Sequence, residues 1–517
     1  MSPHVCRTAA IALNGLEGTV VLVEAAVSNQ LPGMAIIGLP DTALAEAKQR
    51  VKLATQHVGM SLTDRFLIVN LSPAALPKQG SGFDLAIALS ALAASGRLPS
   101  DKLEGIAHIG ELGLDGSLRR PPGLLSAVIA AKSLGFNRVI VPACCSSEAA
   151  LVQGIEVISA DSLRGAVAWH RGETSGWAIA RASETSADTR SLASDLDAPD
   201  MADVIGQPEI VEALVVAAAG RHHVSMIGPP GAGKTLLATR LASILPDLDD
   251  EESITVSSIA SLGGASLTGL VRRPPFVNPH HTASKVSIIG GGDASGIRPG
   301  AITKACHGLL FLDEAPEFSV DALNALRQPL ESGTVEIHRA KHHVTLPAAV
   351  QVVLAANPCP CGFADSVESV AVCRCTPMQK MKYLNRLSGP LTDRIDLRLN
   401  VRRVPSALLE ADTLPRATSR ELRERVAAAR KRAAARLAGT PWKVNSEVAS
   451  QWLRAPGNRP SRTATAVLDA AYARGAISMR GYDRTLRLAW TIADLEGKEA
   501  PERSEIRQAL TLREGAA

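Results

Sequence analysis

The sequence predicts a multidomain α/β protein in which a doubly wound core of parallel strands lies between an N-terminal α/β domain and a small C-terminal all-α domain. Three observations lead to this prediction. The chain has 517 residues, more than a single hydrophobic core accommodates. Strand-like apolar runs alternate with helical stretches up to about residue 402, whereas the remainder has only helical periodicity. A glycine-rich phosphate-binding motif follows one of the central runs.

Composition and charge exclude several classes of protein. The chain carries 55 Lys and Arg against 51 Asp and Glu, too even a balance for a protein whose whole surface packs nucleic acid. Aromatic residues make up 3%, which disfavours a binder that stacks successive bases on aromatic platforms. No long apolar run follows the N-terminus. We therefore expect neither a signal peptide nor a membrane span, and a cytoplasmic protein.

The first predicted domain covers residues 1–168. Its predicted strands include 20–27, 66–71 and 138–141, and its predicted helices include 41–57, 84–95 and 123–134. A stretch rich in Ser, Thr, Ala and Asp, with almost no large apolar residues, follows it. This composition is typical of a solvated linker, which we place at 169–199.

The second predicted domain covers residues 200–402 and contains a nucleotide-binding motif. Three apolar runs, at 224–227, 309–312 and 350–355, are typical of buried parallel strands. The first run is followed by a P-loop made of Gly228, Pro229, Pro230, Gly231, Ala232, Gly233, Lys234 and Thr235. In such a loop, backbone N–H groups hold the β-phosphate of ATP, the lysine bridges the β- and γ-phosphates, and the threonine ligates Mg²⁺.

Polar side chains end the other two runs. Asp313 and Glu314 should emerge at the carboxyl end of a central strand, where open α/β sheets bind their ligands. We predict that Asp313 holds Mg²⁺ through its water shell and that Glu314 orients and polarises the attacking water. Asn357 ends the third run, and its amide could contact the γ-phosphate or the same water.

Four of the eight cysteines form two close pairs, Cys359 with Cys361 and Cys373 with Cys375. Four thiolates are enough for a closed tetrahedral zinc site, although the C-x-C spacing is tighter than the usual C-x₂-C. A structural Zn²⁺ is favoured over a catalytic one because four sulfur ligands leave no open position. Free thiols or an occasional disulfide are the alternative.

The order of these motifs resembles that of AAA+ ATPases. The chain adds Leu391-Thr-Asp-Arg394-Ile-Asp396, and its lead-in at 200–207 is similar to the usual start of such a domain. More narrowly, several segments are similar to those of magnesium-chelatase-like AAA+ proteins of the YifB/ComM family: 279–282, 290–292, 299–300, 312–318 and 357–362. The resemblance spans nearly the whole chain. It implies an ATP-hydrolysing, homo-hexameric ring motor that acts on single-stranded or branched DNA, as a helicase promoting branch migration during DNA uptake and recombination.

The resemblance also implies roles for single residues. Arg394 is implied to be an arginine finger that reaches the nucleotide of a neighbouring subunit. Arg480 is implied to be the sensor-2 arginine, although Arg484 and Arg487 lie on roughly the same helical face and compete for that role.

A β-hairpin with a basic tip is predicted at 334–346. In related ring helicases a hairpin at this place points into the pore, which implies that Arg339 and Lys341 contact DNA phosphates. A solvated hairpin tip is the alternative, since two cations are a small footprint.

The two terminal domains are interpreted in the same way. Residues 70–84 and 110–118 resemble the proteolytic domain of Lon, in which a lysine activates a nucleophilic serine. Here Ser81 falls one residue early, and the stretch that should hold the lysine, 121–126, has none. A serine without its base is a poor nucleophile, so we expect a non-proteolytic scaffold. The C-terminal 403–517 is expected to be a small helical lid.

Three other functions are compatible with parts of the sequence. A chelatase-type motor subunit would drive metal insertion through a partner protein, but the Lon-like domain and the basic hairpin tip weigh against it. An ATP-dependent protease lacks its lysine. A nucleotide-switched assembly factor would bind ATP and turn it over negligibly.

Overall fold

The alternating runs at the N-terminal end of the chain pair into one mixed, eight-stranded sheet. The computed structural model describes residues 5–38, 41–73, 81–181, 199–293, 296–339, 342–364, 373–387, 389–405 and 415–515. In chain order, the first strands are β1 (Cys6–Asn14), β2 (Glu17–Ser28), β3 (Gly33–Ile37), β4 (Phe66–Ser72), β5 (Ile106–His108), β6 (Glu111–Leu112), β7 (Leu118–Arg119), β8 (Arg138–Pro142), β9 (Glu156–Ala160) and β10 (Trp177–Ala180). Their order in the large sheet is β10-β9-β8-β5-β1-β2-β4-β3, while β6 and β7 form a separate ribbon.

Helices cover both faces of this sheet. They are α1 (Asp41–His57), α2 (Asp84–Ala94), α3 (Leu124–Ser133), α4 (Ser146–Ala149) and α5 (Leu163–Arg171). Successive side chains of β1 point to opposite faces. Ala10 and Ala12 therefore pack in one hydrophobic cluster, with residues of α1, α2 and α5, and Ile11 packs in another, with residues of α3 and α4.

The sheet continues past residue 168, where the sequence predicted the first domain to end. Helix α5 runs to Arg171, and β10 then pairs antiparallel with β9. The Trp169 and Trp177 rings meet edge to face, with centroids 6.5 Å apart. Residues 169–181 thus form part of the N-terminal fold, because Trp177 gives this polar stretch an apolar anchor. The remainder of the predicted linker, 182–198, lies outside the described residues.

The core of the second domain is a five-stranded sheet. Its strands are β11 (Val224–Ile227), β12 (Phe276–Val277), β15 (Leu309–Leu312), β18 (Gln351–Ala356) and β19 (Leu397–Asn400), in the order β12-β15-β18-β11-β19. Every neighbouring pair is parallel. Alternate residues of β15 enter two hydrophobic clusters, Leu309 and Phe311 on one side, Leu310 and Leu312 on the other. The parallel core predicted from three apolar runs is confirmed.

Helices and two hairpins surround this core. The helices are α6 (Pro208–Gly220), α7 (Lys234–Ser243), α8 (Asp250–Leu262), α9 (Lys285–Ile289), α10 (Ala301–Lys304), α11 (Val320–Ala325), α12 (Pro329–Ser332), α13 (Pro377–Asn385) and α14 (Gly389–Thr392). The hairpins are β13 (Gly290–Asp293) with β14 (Gly296–Pro299), and β16 (Thr334–Arg339) with β17 (His342–Pro347).

The second hairpin touches the N-terminal domain. Asn14 Nδ2 donates to the backbone oxygen of His343 at 3.2 Å. Gly15, at the turn between β1 and β2, has a φ of +68°, and a Cβ there would lie 2.8 Å from Val344 Cγ1. A second contact joins α3 to α8, where Gly123 N donates to Ser261 O at 3.2 Å. The N-terminal domain therefore rests on both the core and the hairpin.

The C-terminal part, as far as the structure describes it, is helical. Its helices are α15 (Ser419–Arg436), α16 (Ser450–Arg454), α17 (Arg462–Ala473), α18 (Met479–Glu496) and α19 (Arg503–Glu514). Arg484 donates to Arg394 O at 2.8 Å, and Arg513 donates to Ile395 O at 3.0 Å, both just before β19. These contacts lie at the amino ends of the core strands. No described helix is long and apolar enough to cross a membrane.

The first prediction concerns the contact between α5 and the turn before β10. A Cβ added at Gly165 would lie 1.9 Å from the backbone oxygen of Gly176. Gly165→Ala should therefore push β10 off the sheet, at ~1–3 kcal/mol. We expect faster amide hydrogen exchange in Trp177–Ala180. Gly82→Ala is the control, because its Cβ would make an ordinary 3.5 Å contact with Pro121. Equal exchange in all three proteins would contradict the placement of β10.

Candidate nucleotide site

The P-loop joins β11 to α7 at the carboxyl edge of the core sheet. Gly231 and Gly233 have φ values of +77° and +88°, which only glycine adopts readily. A Cβ at Gly228 would lie 2.1 Å from Val401 O, in the neighbouring strand's continuation. The loop ends at the first turn of α7, a position at which helices bind anions. Backbone path and close packing both explain why glycines occupy these positions.

Lys234 lies under this loop. Its Nζ donates to Gly228 O at 2.7 Å, to Pro229 O at 3.1 Å and to Asn357 Oδ1 at 3.0 Å. Burial lowers the pKa of Lys234 from its ordinary value, and the nearby carboxylates of Asp313 and Glu314 oppose that shift. The ammonium is thus held among oxygen acceptors at the place where phosphate oxygens would enter.

Thr235 and Asp313, which were each predicted to act on Mg²⁺, lie within hydrogen-bond distance of each other. Thr235 Oγ1 donates to Asp313 Oδ2 at 2.8 Å. A hydroxyl and a carboxylate are hard oxygen ligands of the kind Mg²⁺ prefers, so the residues present fit that ion. The cleft around them has a volume of about 400 Å³ and is lined by residues 230–236, Asp313, Glu314, Ala356 and Asn357.

Glu314 has an unusual backbone and an unexpected partner. Its φ of +49° lies in the left-handed region, which is costly for a residue with a Cβ and is often found at functional sites. Its Oε2 lies 3.3 Å from His281 Nδ1. His281 belongs to the family-like segment 279–282, but its sequence context indicates no role for it. In this structure the carboxylate predicted to activate water is paired with an imidazole.

Two further residues contact the loop. Arg403 donates to Pro230 O through Nη2 at 2.7 Å and through Nε at 3.0 Å. Gln207 Nε2 donates to Ala232 O at 3.4 Å and to Arg402 O at 3.0 Å. Arg403 follows β19, whose carboxyl end lies beside that of β11, and this parallel pairing is the signal that could have predicted it.

Arg394 and Arg480 lie at the opposite edge of the core sheet. Arg394 belongs to the turn before β19 and forms an ion pair with Glu331. Arg480 is exposed in the first turn of α18 and lines a second cavity of about 660 Å³ together with Glu331 and Asp396. Neither arginine lines the cleft at the P-loop of its own chain.

The two competing arginines of α18 have structural contacts. Arg484 donates to Asp396 Oδ1 at 2.5 Å, and Arg487 donates to Val448 O at 2.8 Å. Burial alone would raise the pKa of Asp396, but Arg484 and His222 hold it well below its ordinary value. Arg484 therefore compensates a buried carboxylate, which leaves Arg480 as the exposed member of the three.

The remaining predicted site residues lie elsewhere. The Sγ atoms of all four clustered cysteines, Cys359, Cys361, Cys373 and Cys375, lie within 4.8 Å of one another. Arg339 is the last residue of β16, so the predicted hairpin is present. Lys341 lies outside the described residues.

The serine of the N-terminal domain has an acidic neighbour. Ser81 Oγ donates to the carboxylate of Glu111. Lys132, a lysine of α3 beyond the stretch 121–126, lies beside Gly154, where an added Cβ would be 3.3 Å from Lys132 Nζ. The described hydrogen-bond partner of the Ser81 hydroxyl is thus a carboxylate.

Comparison with protein families gives matches along most of the chain. The family described as "Magnesium chelatase, subunit ChlI" matches residues 200–409. "Subunit ChlI of Mg-chelatase" matches residues 23–144, and "Magnesium chelatase, subunit ChlI C-terminal" matches residues 416–513.

Similar full-length proteins come from several bacteria. An uncharacterized protein of Mycobacterium tuberculosis is 44% identical over 513 residues, which cover 99% of each chain. The uncharacterized protein YifB of Escherichia coli is 38% identical over 96% of this chain and 95% of its own. The competence protein ComM of Haemophilus influenzae is 36% identical over the same shares of the two chains.

Proposed function

Because the chain belongs to the magnesium-chelatase-like family that includes YifB and ComM, we propose that it is an ATP-hydrolysing ring motor that acts on DNA. The proposed role is that of a helicase that promotes branch migration in recombination and DNA uptake. Its support is the name of the Haemophilus relative, a competence protein, together with the hairpin at 334–347. The proposed cofactors are ATP and Mg²⁺, with a structural Zn²⁺ as a third, and the proposed location is the cytoplasm.

One observation carries this proposal: the residues predicted to act on ATP lie at two opposite edges of one sheet. The P-loop, Asp313, Glu314 and Asn357 lie at the carboxyl edge. Arg394 precedes β19 and so lies at the amino edge. A copy that docks its amino edge against the next copy's cleft brings the two halves together. Such a head-to-tail contact is heterologous, and repetition with a closing rotation gives a ring, for which we propose six subunits.

Each residue then has a defined task in hydrolysis. Lys234 and the loop backbone bind the β- and γ-phosphates, while Thr235 and Asp313 hold Mg²⁺. The ion, when bound, neutralises charge on the phosphate oxygens. Glu314 exchanges His281 for the attacking water and accepts its proton. Arg394 of the adjacent copy stabilises the charge that develops on the transferred phosphoryl group.

The terminal domains have supporting roles in this proposal. The N-terminal domain is a non-proteolytic scaffold in this proposal, because residues 121–126 lack the lysine that would activate Ser81. The C-terminal helices hold Arg394 by its backbone oxygen, and Arg480, the proposed sensor-2 residue, is exposed in the first turn of α18.

A chelatase-type motor subunit is the second candidate, because the matching families are described as magnesium chelatase subunits. DNA separates the two functions. Stimulation of ATP hydrolysis by single-stranded or four-way-junction DNA supports the helicase. An assembled, ATP-hydrolysing protein that DNA neither binds nor stimulates supports the chelatase-type motor.

The first functional prediction separates ATP binding from ATP hydrolysis. Lys234→Ala should abolish ATP binding, because the main countercharge of the β- and γ-phosphates is lost. Glu314→Gln should bind ATP and hydrolyse it about 10²–10⁴-fold more slowly, because only water activation is lost. Glu317→Gln, an exposed neighbour, is the control and should hydrolyse ATP normally. Undiminished turnover in Glu314→Gln would contradict the assignment.

The second prediction tests the division of the site between copies. Arg394→Ala should bind ATP but hydrolyse it poorly, by a factor of about 10³ or more. In an equal random mixture of this variant with Lys234→Ala, about a quarter of the interfaces between subunits join an intact P-loop to an intact Arg394. Activity should therefore partly return. The control is a single chain that carries both Lys234→Ala and Arg394→Ala. Mixed with either single variant, it should restore no activity. Absence of rescue in proven mixed rings would place the arginine in its own chain's site.

The third prediction concerns DNA. Arg339→Ala with Lys341→Ala should leave ATP hydrolysis without DNA unchanged and reduce its stimulation by DNA. Each lost phosphate contact should flatten the slope of log affinity against log salt by about 0.7 on single strands. Arg420→Ala with Lys431→Ala removes equal charge from an exposed face of α15 and is the control. Unchanged branch migration by the hairpin variant would show that DNA binds elsewhere.

A further inference from the structure

The four-cysteine cluster has the dimensions of a metal site. The Sγ atoms of Cys359 and Cys361 lie 3.3 Å apart, those of Cys359 and Cys373 3.8 Å, and those of Cys361 and Cys373 3.6 Å. Tetrahedral zinc with bonds of about 2.3 Å requires its sulfur atoms to lie roughly 3.8 Å apart. A disulfide would bring two of them to about 2.05 Å. The observed spacing is that of ligands around an ion.

The chemistry of the cluster favours one ion over others. Its four ligand atoms are all cysteine sulfurs, a soft donor set that selects zinc or iron rather than magnesium. Cys359 is fully buried, and Ala364 N donates to its Sγ at 3.3 Å, the kind of outer hydrogen bond that orients a ligating thiolate. Four ligands close the coordination sphere, which is typical of a structural zinc.

The cluster lies directly against the nucleotide site. Asn357, whose Oδ1 accepts from Lys234, is followed after one residue by the first ligand, Cys359. Gly362 has a φ of +82°, and a Cβ there would lie 2.6 Å from both Cδ and Cγ of Pro230 in the P-loop. The turn that carries the first two ligands therefore packs on the phosphate-binding loop.

The other pair of ligands leads into the next helix. Cys375 immediately precedes Thr376, whose side chain accepts from Gln379 N and caps α13. One ion held by both pairs would tie the Asn357 turn to the start of α13. The described sulfur–sulfur contacts of these cysteines are thiol hydrogen bonds of 3.3, 3.8 and 3.6 Å, and none of the four forms a disulfide.

We propose that Cys359, Cys361, Cys373 and Cys375 bind one structural Zn²⁺, and that this ion holds the turn after Asn357 against the P-loop so that ATP hydrolysis depends on it. The metal touches neither nucleotide nor water. Its effect on hydrolysis rests on the proposed ATPase function, whereas the metal site itself does not. A displacement of about 1 Å in a catalytic side chain can cost on the order of 100-fold in rate, which is the size of effect such a brace would control.

The first test is metal content. Full-length protein purified without added metal should contain about one zinc per chain by mass spectrometry. Cys373→Ser should lose most of it, and Cys144→Ser, an exposed thiol of the N-terminal domain, should keep it. Iron in place of zinc, or metal-free protein that is folded and hydrolyses ATP, would overturn the zinc site while leaving the proposed ATPase intact.

The second test changes the packing of the cysteine turn on the P-loop without removing a zinc ligand. Gly362→Ala keeps all four ligands but forces a Cβ into Pro230, so it should retain zinc and ATP binding while hydrolysis falls about 10–100-fold. Gly269→Ala is the control, since nothing lies within 4 Å of its added Cβ. Normal hydrolysis by Gly362→Ala, or by parent protein whose zinc a chelator has removed, would overturn the coupling. A parent that contains zinc but hydrolyses no ATP, with or without DNA, would overturn the ATPase proposal and the coupling, and support the metal site.

Discussion

Parallel pairing of the five core strands places all their carboxyl ends at one edge of the sheet, and this constraint decides which side chains can meet. The P-loop, Asp313 and Asn357 follow neighbouring strands and so converge in one cleft. Arg394 precedes a strand and so lies at the other edge. In the proposed mechanism these two edges are half-sites, which a second copy of the chain joins.

The amino edge is organised around one buried carboxylate. Asp396 is 1% exposed, accepts from His223 N at 3.0 Å and receives Arg484 from α18. Removing one partner of a buried ion pair typically costs about 3–5 kcal/mol, because the other charge stays buried and unpaired. Arg484 also binds the backbone oxygen of Arg394. The described C-terminal helices therefore contact the backbone that carries the proposed finger, and none of their described residues lines the nucleotide cleft of their own chain.

The carboxyl edge is connected to distant parts of the molecule by short contacts. The cysteine turn packs on Pro230, and His281, beyond β12, lies 3.3 Å from the carboxylate of Glu314. The hairpin between β15 and β18 rests on the N-terminal turn at Gly15. The cysteine turn and His281 thus contact residues of the cleft, and the hairpin contacts the N-terminal domain.

The sequence predicted those features that depend on neighbouring residues in the chain. The P-loop, the acidic pair after β15 and Asn357 were found because glycines, apolar runs and strand ends are visible without tertiary structure, and the family inferred from them is confirmed. His281 and Arg403 were missed because their partners lie far away in the chain. Periodicity placed Arg480, Arg484 and Arg487 on one helical face, and only packing against Asp396 distinguishes them. Strand β10 was not predicted, because the residues around Trp177 have the polar composition of a linker.

The most direct test of the divided site is a structure of the assembled Glu314→Gln protein with ATP and Mg²⁺, in which hydrolysis is blocked. We expect the guanidinium of Arg394 from one copy to lie within hydrogen-bond distance of the γ-phosphate bound at Lys234 of the adjacent copy. An assembly in which Arg394 remains paired with Glu331 of its own chain, away from every nucleotide, would contradict the account.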